Sequence, residues 1–232
     1  MGMKKRTGLT GILYLAILSA IAGYFFRMTY LNGGSAIPLI AFSVLMLLVF
    51  ALAAVSLEKE AAYAALFRPA NEDLIFSLLG AAALMAGCAM EFSGSMMRML
   101  LAMLGILAGG GLAAAAVLRR RGKMPPAALY VFAIVFYVAR LFRDFRRWMH
   151  DPAVLGYCFH LFALISFMLA AYHAGAFSFD RGARRRFAFF SLTGVLFGAV
   201  ALCGSDWPTA LVYGGSALWT LACAQQAMRR AH

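Results

Sequence analysis

The sequence has few acidic residues and few charged residues of any kind. Aspartate and glutamate number 9 against 21 lysines and arginines, and charged residues form only 13% of the 232 residues. Soluble domains contain about 25% charged and about 45–50% apolar residues, whereas hydrophobic residues form 64% of this chain. This composition excludes a soluble globular domain and favours a chain that is embedded in lipid.

Cysteine and histidine are also scarce, which disfavours metal and haem sites. The sequence has no CxxC pair, and its four cysteines lie in or beside apolar runs, where free cysteine packs as a small hydrophobic residue. Two histidines, His160 and His173, lie in one apolar run, and the other two lie outside such runs. Because bis-histidine ligation needs histidines on facing helices, we expect no metal and no cofactor.

Two further function classes are disfavoured by what is missing. The sequence contains no HExxH, GxSxG or Walker motif, and no apolar run holds a cluster of carboxylates, so we predict that the protein is not an enzyme. The net charge of +12 is spread over the ends of apolar runs instead of one solvent face. We therefore expect no nucleic-acid partner.

Eight apolar runs make up most of the chain, and each is close to the length of about 20 residues that spans a bilayer. They predict an all-α, polytopic membrane protein with one transmembrane domain over residues 1–232. The first run follows three cations, as in a signal peptide, but is long enough to be a retained helix. The predicted helices are residues 9–26, 37–57, 74–90, 97–118, 126–142, 153–177 and 187–203, with an eighth between Pro208 and Arg229.

The distribution of cations predicts the orientation. With eight spans, one set of alternating loops and termini holds 15 lysines and arginines, and the other set holds 6. Because Lys and Arg are retained on the cytoplasmic side, we predict a plasma-membrane protein with both termini cytoplasmic. The segment after predicted helix five opposes this rule, since residues 140–147 supply four of the six outer cations.

The arginines of that segment form a candidate anion site. Arg140, Arg143 and Arg147 are spaced i, i+3, i+7, so a continued helix would hold them on one face, with Asp144 within reach. One interpretation is snorkelling, in which long cationic side chains extend to phosphate headgroups beside an interfacial Trp148. The other is a binding site, because guanidinium groups match carboxylate and phosphate geometry.

An offset of 114–116 residues aligns the two halves of the chain and suggests a 4+4 repeat of residues 1–121 and 122–232. For example, residues 76–80 (FSLLG) align with residues 190–194 (FSLTG). Identities between apolar helices arise easily by chance, so duplication and coincidence both remain open. True halves would be parallel, an arrangement found in some secondary transporters.

The same alignment adds further candidate residues. It matches Arg27 with Arg143, so that Arg27 joins the anion-site hypothesis, and it matches two outer acids, Glu91 and Asp206. Both acids could equally be ordinary interfacial residues.

Two polar residues lie within predicted helix six. Tyr157 and His160 are three positions apart, and ionisable residues inside a membrane are candidates for function. A neutral histidine that bonds to a neighbouring helix is the structural alternative.

Two functions are consistent with these features. One is a small-solute permease for anions, which the charged outer segment and the repeat favour. The other is a non-transporting accessory or ligand-sensing protein, which the shortage of polar residues at mid-membrane favours. The expected partners are the lipid bilayer and an anionic lipid or small anionic solute. A polar cavity that reaches past Gly80 and Gly194 would favour the permease.

Glycines on predicted helix four indicate a packing face. Gly105 and residues 109–111, all glycine, precede an alanine-rich stretch, and small residues let membrane helices approach closely. We expect this face to be buried, with Gly110 as its sensitive position.

Reporter fusions test the predicted orientation. Fusions at Lys123 and Arg185 should report a cytoplasmic location, because both lie in the cation-rich set of loops. An exterior signal from a fusion after Gly122 would contradict the orientation.

Overall fold

The computed structural model describes residues 2–60, 62–67, 71–92, 95–148, 154–180 and 182–228, and all regular structure in this part of the chain is helical. A single turn, α3 (Tyr63–Leu66), separates the first two long helices from the rest, and a 3-10 turn (Phe177–Phe179) follows α7. The eight long helices are α1 (Gly2–Leu31), α2 (Ile37–Val55), α4 (Asn71–Met90), α5 (Met96–Arg120), α6 (Ala128–Trp148), α7 (Val154–Ala176), α8 (Arg184–Leu202) and α9 (Trp207–Met228).

The prediction of eight long helices is confirmed, and the chain is a helical membrane protein. Within the described residues, six helices are long and apolar enough to cross a bilayer, and α6 and α9 are not among them. The second half of α6 carries five charged residues, and α9 contains polar residues along its length. Eight membrane spans therefore remain a prediction.

Six helices form a ring. Each helix from α4 to α9 packs on the next in sequence, and α9 packs on α4, which closes the ring. The helices α1 and α2 lie outside it and pack mainly on α8. Because successive helices alternate in direction, the ring has two ends, which we call the Arg140 end and the Arg119 end after one buried arginine at each.

The 4+4 repeat remains a prediction. In the aligned halves α1 and α2 correspond to α6 and α7, yet α6 and α7 belong to the ring whereas α1 and α2 do not. The aligned helices thus occupy different surroundings.

Glycines allow α4 and α9 to approach at backbone distance. A Cβ atom at Gly80 would lie 2.6 Å from the Gly215 carbonyl oxygen, and one at Gly87 would lie 2.6 Å from the Pro208 carbonyl oxygen. Close backbone packing provides much of the association energy of membrane helices, since lipid supplies no hydrophobic drive. This contact joins the first and last helices of the ring and closes it.

The expectation of a buried small-residue face on α5 is confirmed, but the choice of Gly110 is wrong. Gly105, Gly109 and Gly111 are buried against neighbouring helices, and a Cβ at Gly109 would lie 2.4 Å from Met85 Cγ. Gly110 points away from the bundle, with no heavy atom near its Cβ position. Successive helical residues are 100° apart, so only some of a glycine triplet can face a neighbour.

The first helix is longer than predicted, which changes the setting of Arg27. Predicted helix one ends at residue 26, whereas α1 continues to Leu31. The extension packs on the start of the α8–α9 turn, where a Cβ at Gly204 would lie 2.9 Å from the Leu31 side chain. Arg27 is consequently inside a helix and buried, instead of at a helix end.

Replacement of Gly80 tests the α4–α9 contact. Gly80→Ala places a methyl group against backbone atoms that cannot rotate away, so we expect a loss of about 1–3 kcal/mol in the free energy of unfolding, as for overpacked cores. Gly110→Ala is the matched control, because its methyl group meets open space. Thermal unfolding of the purified variants measures both, and equal midpoints would contradict the contact.

Candidate functional site

The second half of α6 carries a buried arginine that is bound by carboxylates. Arg140 is 1% exposed, and its Nη2 and Nη1 donate to the two Glu91 carboxylate oxygens at 2.9 and 3.3 Å. Its Nε lies 3.8 Å from the Asp144 carboxylate, one helical turn later, and Nη2 also donates to Thr209 Oγ1 at 3.3 Å. Such two-pronged pairing is the strong and orienting mode of arginine–carboxylate contact.

Arg143 joins the same cluster from a more exposed position. Its side chain is 30% exposed, its Nε donates to Asp144 Oδ1 at 2.9 Å, and its Nη1 donates to Glu91 Oε2 at 3.3 Å. Two arginines thus meet two carboxylates, and we call these four residues the Arg140 cluster. Its formal charge is zero.

Most of the predicted arginine face therefore has its counter-charge within the chain. Arg140 and Arg143 lie on one continuous helix with Asp144, as the spacing suggested, and Glu91 supplies the second negative charge. Arg147 is part of α6, but its side chain lies outside the described residues. Because the Arg140 cluster has no net charge, it does not favour the binding of a further anion.

Arg27 is the exception among the predicted arginines. It is 3% exposed, and its guanidinium lies 5.3 Å from the Tyr30 ring centre and 5.5 Å from that of Phe159. Nη2 donates to the Gly156 carbonyl at 2.7 Å, whereas Nε and Nη1 are buried without a hydrogen-bond partner. Within the described residues Arg27 forms no ion pair, so this buried cation has only neutral neighbours.

The end of α8 lies beside this guanidinium. Burial raises the pKa of the Cys203 thiol, which follows α8, and the nearby Arg27 guanidinium acts in the opposite direction. The positive charge of Arg27 therefore acts electrostatically on a group in the α8–α9 turn.

His160 lies between Arg27 and the Arg140 cluster. Its ring nitrogens are 3.3 Å from the Gly156 carbonyl and 3.3 Å from Ser205 Oγ. The same ring packs edge-on against Tyr213, and the Arg140 guanidinium lies 5.8 Å from the Tyr213 ring centre. Tyr157 is half-buried on the same turn of α7 and also has an interaction partner. The helices thus bring the predicted polar residues of α1, α6 and α7 to one end of the bundle.

The two aligned acids have different settings. Glu91 lies in the Arg140 cluster, whereas Asp206 is exposed at the start of α9 and takes part in none of the described ion pairs. Correspondence in the alignment therefore does not predict the same contacts.

The opposite end contains an arginine that the sequence analysis missed. Arg119 is 7% exposed, its Nη1 donates to Gln226 Oε1 at 2.8 Å, and its Nη2 donates to the Tyr130 hydroxyl. The guanidinium also stacks on Phe67, 4.2 Å from the ring centre. Arg119 begins a run of three arginines, so only the apolar residues at i−3 and i−4, Ala116 and Ala115, could have distinguished it from a topology signal.

A line of polar side chains along α6 and α9 connects the two ends. Between the Arg140 cluster and Arg119, the Tyr137 hydroxyl donates to Ser216 Oγ at 2.9 Å inside the bundle. Tyr213 lies toward one end of this line and Gln226 toward the other. We call it the α6–α9 seam.

The bundle is tightly packed beside the seam. Gly80 is in backbone contact with α9, and a Cβ at Gly194 would lie 3.0 Å from the Thr220 methyl group. Tyr137, Phe167 and Trp219 are also fully or almost fully buried. Both glycines are therefore sites of close contact between helices.

Metal binding has no support in the part of the chain that the structure describes. It contains no group of three or more histidine, cysteine, aspartate or glutamate side chains that could hold an ion. The two carboxylates of the site, Glu91 and Asp144, are paired with arginines.

Substitution of Glu91 tests the Arg140 cluster. Glu91→Gln removes one half-buried carboxylate and leaves the buried Arg140 guanidinium with less opposite charge, so we expect a loss of about 3–5 kcal/mol in the free energy of unfolding, as for other pairs in which a buried charge loses its partner. Asp206→Asn is the matched control, because its side chain is exposed. Similar thermal midpoints for the two variants would show that the cluster contributes little to stability.

No protein-family model, curated protein or solved structure matches the chain.

Proposed function

We propose that the protein is a non-transporting, ligand-sensing or accessory membrane protein that binds an anionic group through Arg27 at the Arg140 end. The observation that carries this proposal is the state of Arg27, a buried cation that forms no ion pair among the described residues and whose Nε and Nη1 atoms have no hydrogen-bond partner. An uncompensated charge in a low-dielectric interior costs several kcal/mol. A bound carboxylate or phosphate would offset that cost.

The Arg140 cluster adds no further site for an anion, so we propose that one anionic group binds. Arg140 and Arg143 are already matched by Glu91 and Asp144, so the uncompensated positive charge near His160 is that of Arg27. The aromatic rings of Tyr30 and Phe159 lie around the guanidinium, which suits an anion that is attached to an apolar or planar group.

Burial of Arg27 also supports a sensing role. The free donor atoms have almost no exposed surface, so an anion reaches them only after Tyr30, Phe159 or the start of α7 moves. Binding is then coupled to a change in the contacts of Arg27 with Gly156 and Phe159 of α7, and a ligand that prefers the opened state shifts the population toward it.

A permease for small anions is the second candidate, and the α6–α9 seam favours it. Transporters bind solutes near mid-membrane through polar groups, and Tyr137 and Ser216 are polar groups near the middle of α6 and α9. We rank it second because of the packing at Gly80 and Gly194. For both candidates we propose eight spans in the plasma membrane, with both termini cytoplasmic. This orientation would place Arg27 near the outer surface.

Anion-dependent stability tests the site. Inorganic phosphate, and separately acetate, should raise the thermal unfolding midpoint of the purified protein, since a ligand that binds only the folded state stabilises it. Arg27→Gln should abolish the shift, and Arg27→Lys should weaken binding roughly tenfold, because lysine lacks the planar fork. Arg98→Gln removes an exposed arginine on α5 and should leave the shift unchanged.

The outcomes separate the candidates. If neither anion shifts the wild-type midpoint, or if Arg98→Gln and Arg27→Gln behave alike, the site is wrong. Uptake of labelled phosphate or acetate into proteoliposomes that depends on Arg27 and Tyr137 would instead establish the permease.

A further inference from the structure

An apolar groove runs along the outside of the ring between α1 and α9. Its volume is about 530 Å³, and its walls come from α1, α4, α8 and α9. The α1 wall is formed by Ile17, Ala20, Ile21 and Tyr24, which share one face of that helix, and Ile21 and Tyr24 are exposed at the rim. A groove of this composition faces the hydrocarbon of the membrane.

The groove has the length of one lipid leaflet. Its α9 wall extends from Ala210 to Leu221, which is roughly 16 Å at 1.5 Å per residue. This is about half of a hydrocarbon core of roughly 30 Å. Trp207 is 78% exposed one turn before Ala210, as expected of a tryptophan at the headgroup level. The groove therefore begins just below the membrane surface at the Arg140 end.

The groove has room for a hydrocarbon chain. Its volume of about 530 Å³ extends over roughly 16 Å along α9, and its lining residues are apolar over this length. An extended acyl chain therefore fits this space.

A cation lies near the surface end of the groove. Arg27 follows Tyr24 by one helical turn on α1, or roughly 4.5 Å along the axis. Its guanidinium is near Cys203, the residue after the lining residue Leu202. Arg27 therefore lies one turn beyond the α1 wall of the groove, at its Arg140 end.

We infer that the anionic group bound by Arg27 is the phosphate of an anionic phospholipid, and that one acyl chain of this lipid lies in the α1–α9 groove. This inference rests on the proposed function, because it assigns a ligand class to the same arginine. Recognition then has two parts: a charge-assisted contact at the head and burial of methylene groups along the chain.

A groove-filling variant tests the inference. Gly214 lines the groove, and a Cβ there would make only an ordinary 3.4 Å contact with Leu202, so Gly214→Leu should fold and occupy part of the groove. Gly110→Leu is the matched control, since it adds the same side chain to an open surface of α5. Native mass spectrometry of protein from bilayers of phosphatidylglycerol and phosphatidylcholine measures retained lipid, and thermal midpoints with inorganic phosphate are measured in parallel.

For the wild type and Gly110→Leu we expect one retained phosphatidylglycerol molecule, held in preference to phosphatidylcholine. Gly214→Leu should lower this retention roughly tenfold and keep its response to inorganic phosphate. Arg27→Gln should lose the preference for phosphatidylglycerol.

Three results would overturn the inference. The first is equal retention of both lipids by the wild type, and the second is unchanged phosphatidylglycerol retention in Gly214→Leu. The third is a dimer without lipid adducts, which would show that a second copy of the chain occupies the groove. A phosphate response that still depends on Arg27 would leave the proposed function standing in each case. If the wild type responds neither to phosphate nor to phosphatidylglycerol, the proposed function is wrong as well.

Discussion

The buried charge of Arg140 is the constraint on which the arrangement of the ring depends. A guanidinium inside a lipid-surrounded bundle has no water to solvate it, so its neighbours must supply acceptors and opposite charge. Glu91 at the end of α4, Asp144 on α6 and Thr209 on α9 do so. These contacts fix the position of α6 along its axis relative to α4 and α9.

The glycine contact between α4 and α9 allows Glu91 and Thr209 to reach Arg140. Because the backbones meet at Gly80, Gly87 and Gly215, the ends of the two helices lie close enough for Glu91 and Thr209 to reach the same arginine. Packing and charge pairing thus stabilise the same three helices, and loss of either weakens the other. Residues in one network of this kind have non-additive effects on stability.

The sequence was sufficient to predict the eight long helices, because apolar length and flanking cations are local properties. Helix direction brings alternate helix ends together, so the polar residues of α1, α6 and α7 lie at the Arg140 end, as their positions in the sequence predict. It could not predict that Glu91 pairs with arginine while Asp206 stays exposed, nor that Arg119 is buried. Those outcomes depend on which helices are neighbours in the ring and on rotation about each helix axis, as the exposed Gly110 shows.

The two arginine sites at the Arg140 end differ in a way that relates stability to ligand binding. Arg140 is matched by carboxylates of the chain and is independent of any ligand. Among the described residues Arg27 forms no ion pair and keeps two donor nitrogens without a partner, so the unliganded fold carries the cost of a buried charge. An anion bound as proposed would stabilise the folded state by its own binding free energy, since binding and folding are linked. Occupancy of the proposed site and the contact of Arg27 with α7 would then be two measures of one equilibrium, which is the property that a sensor requires.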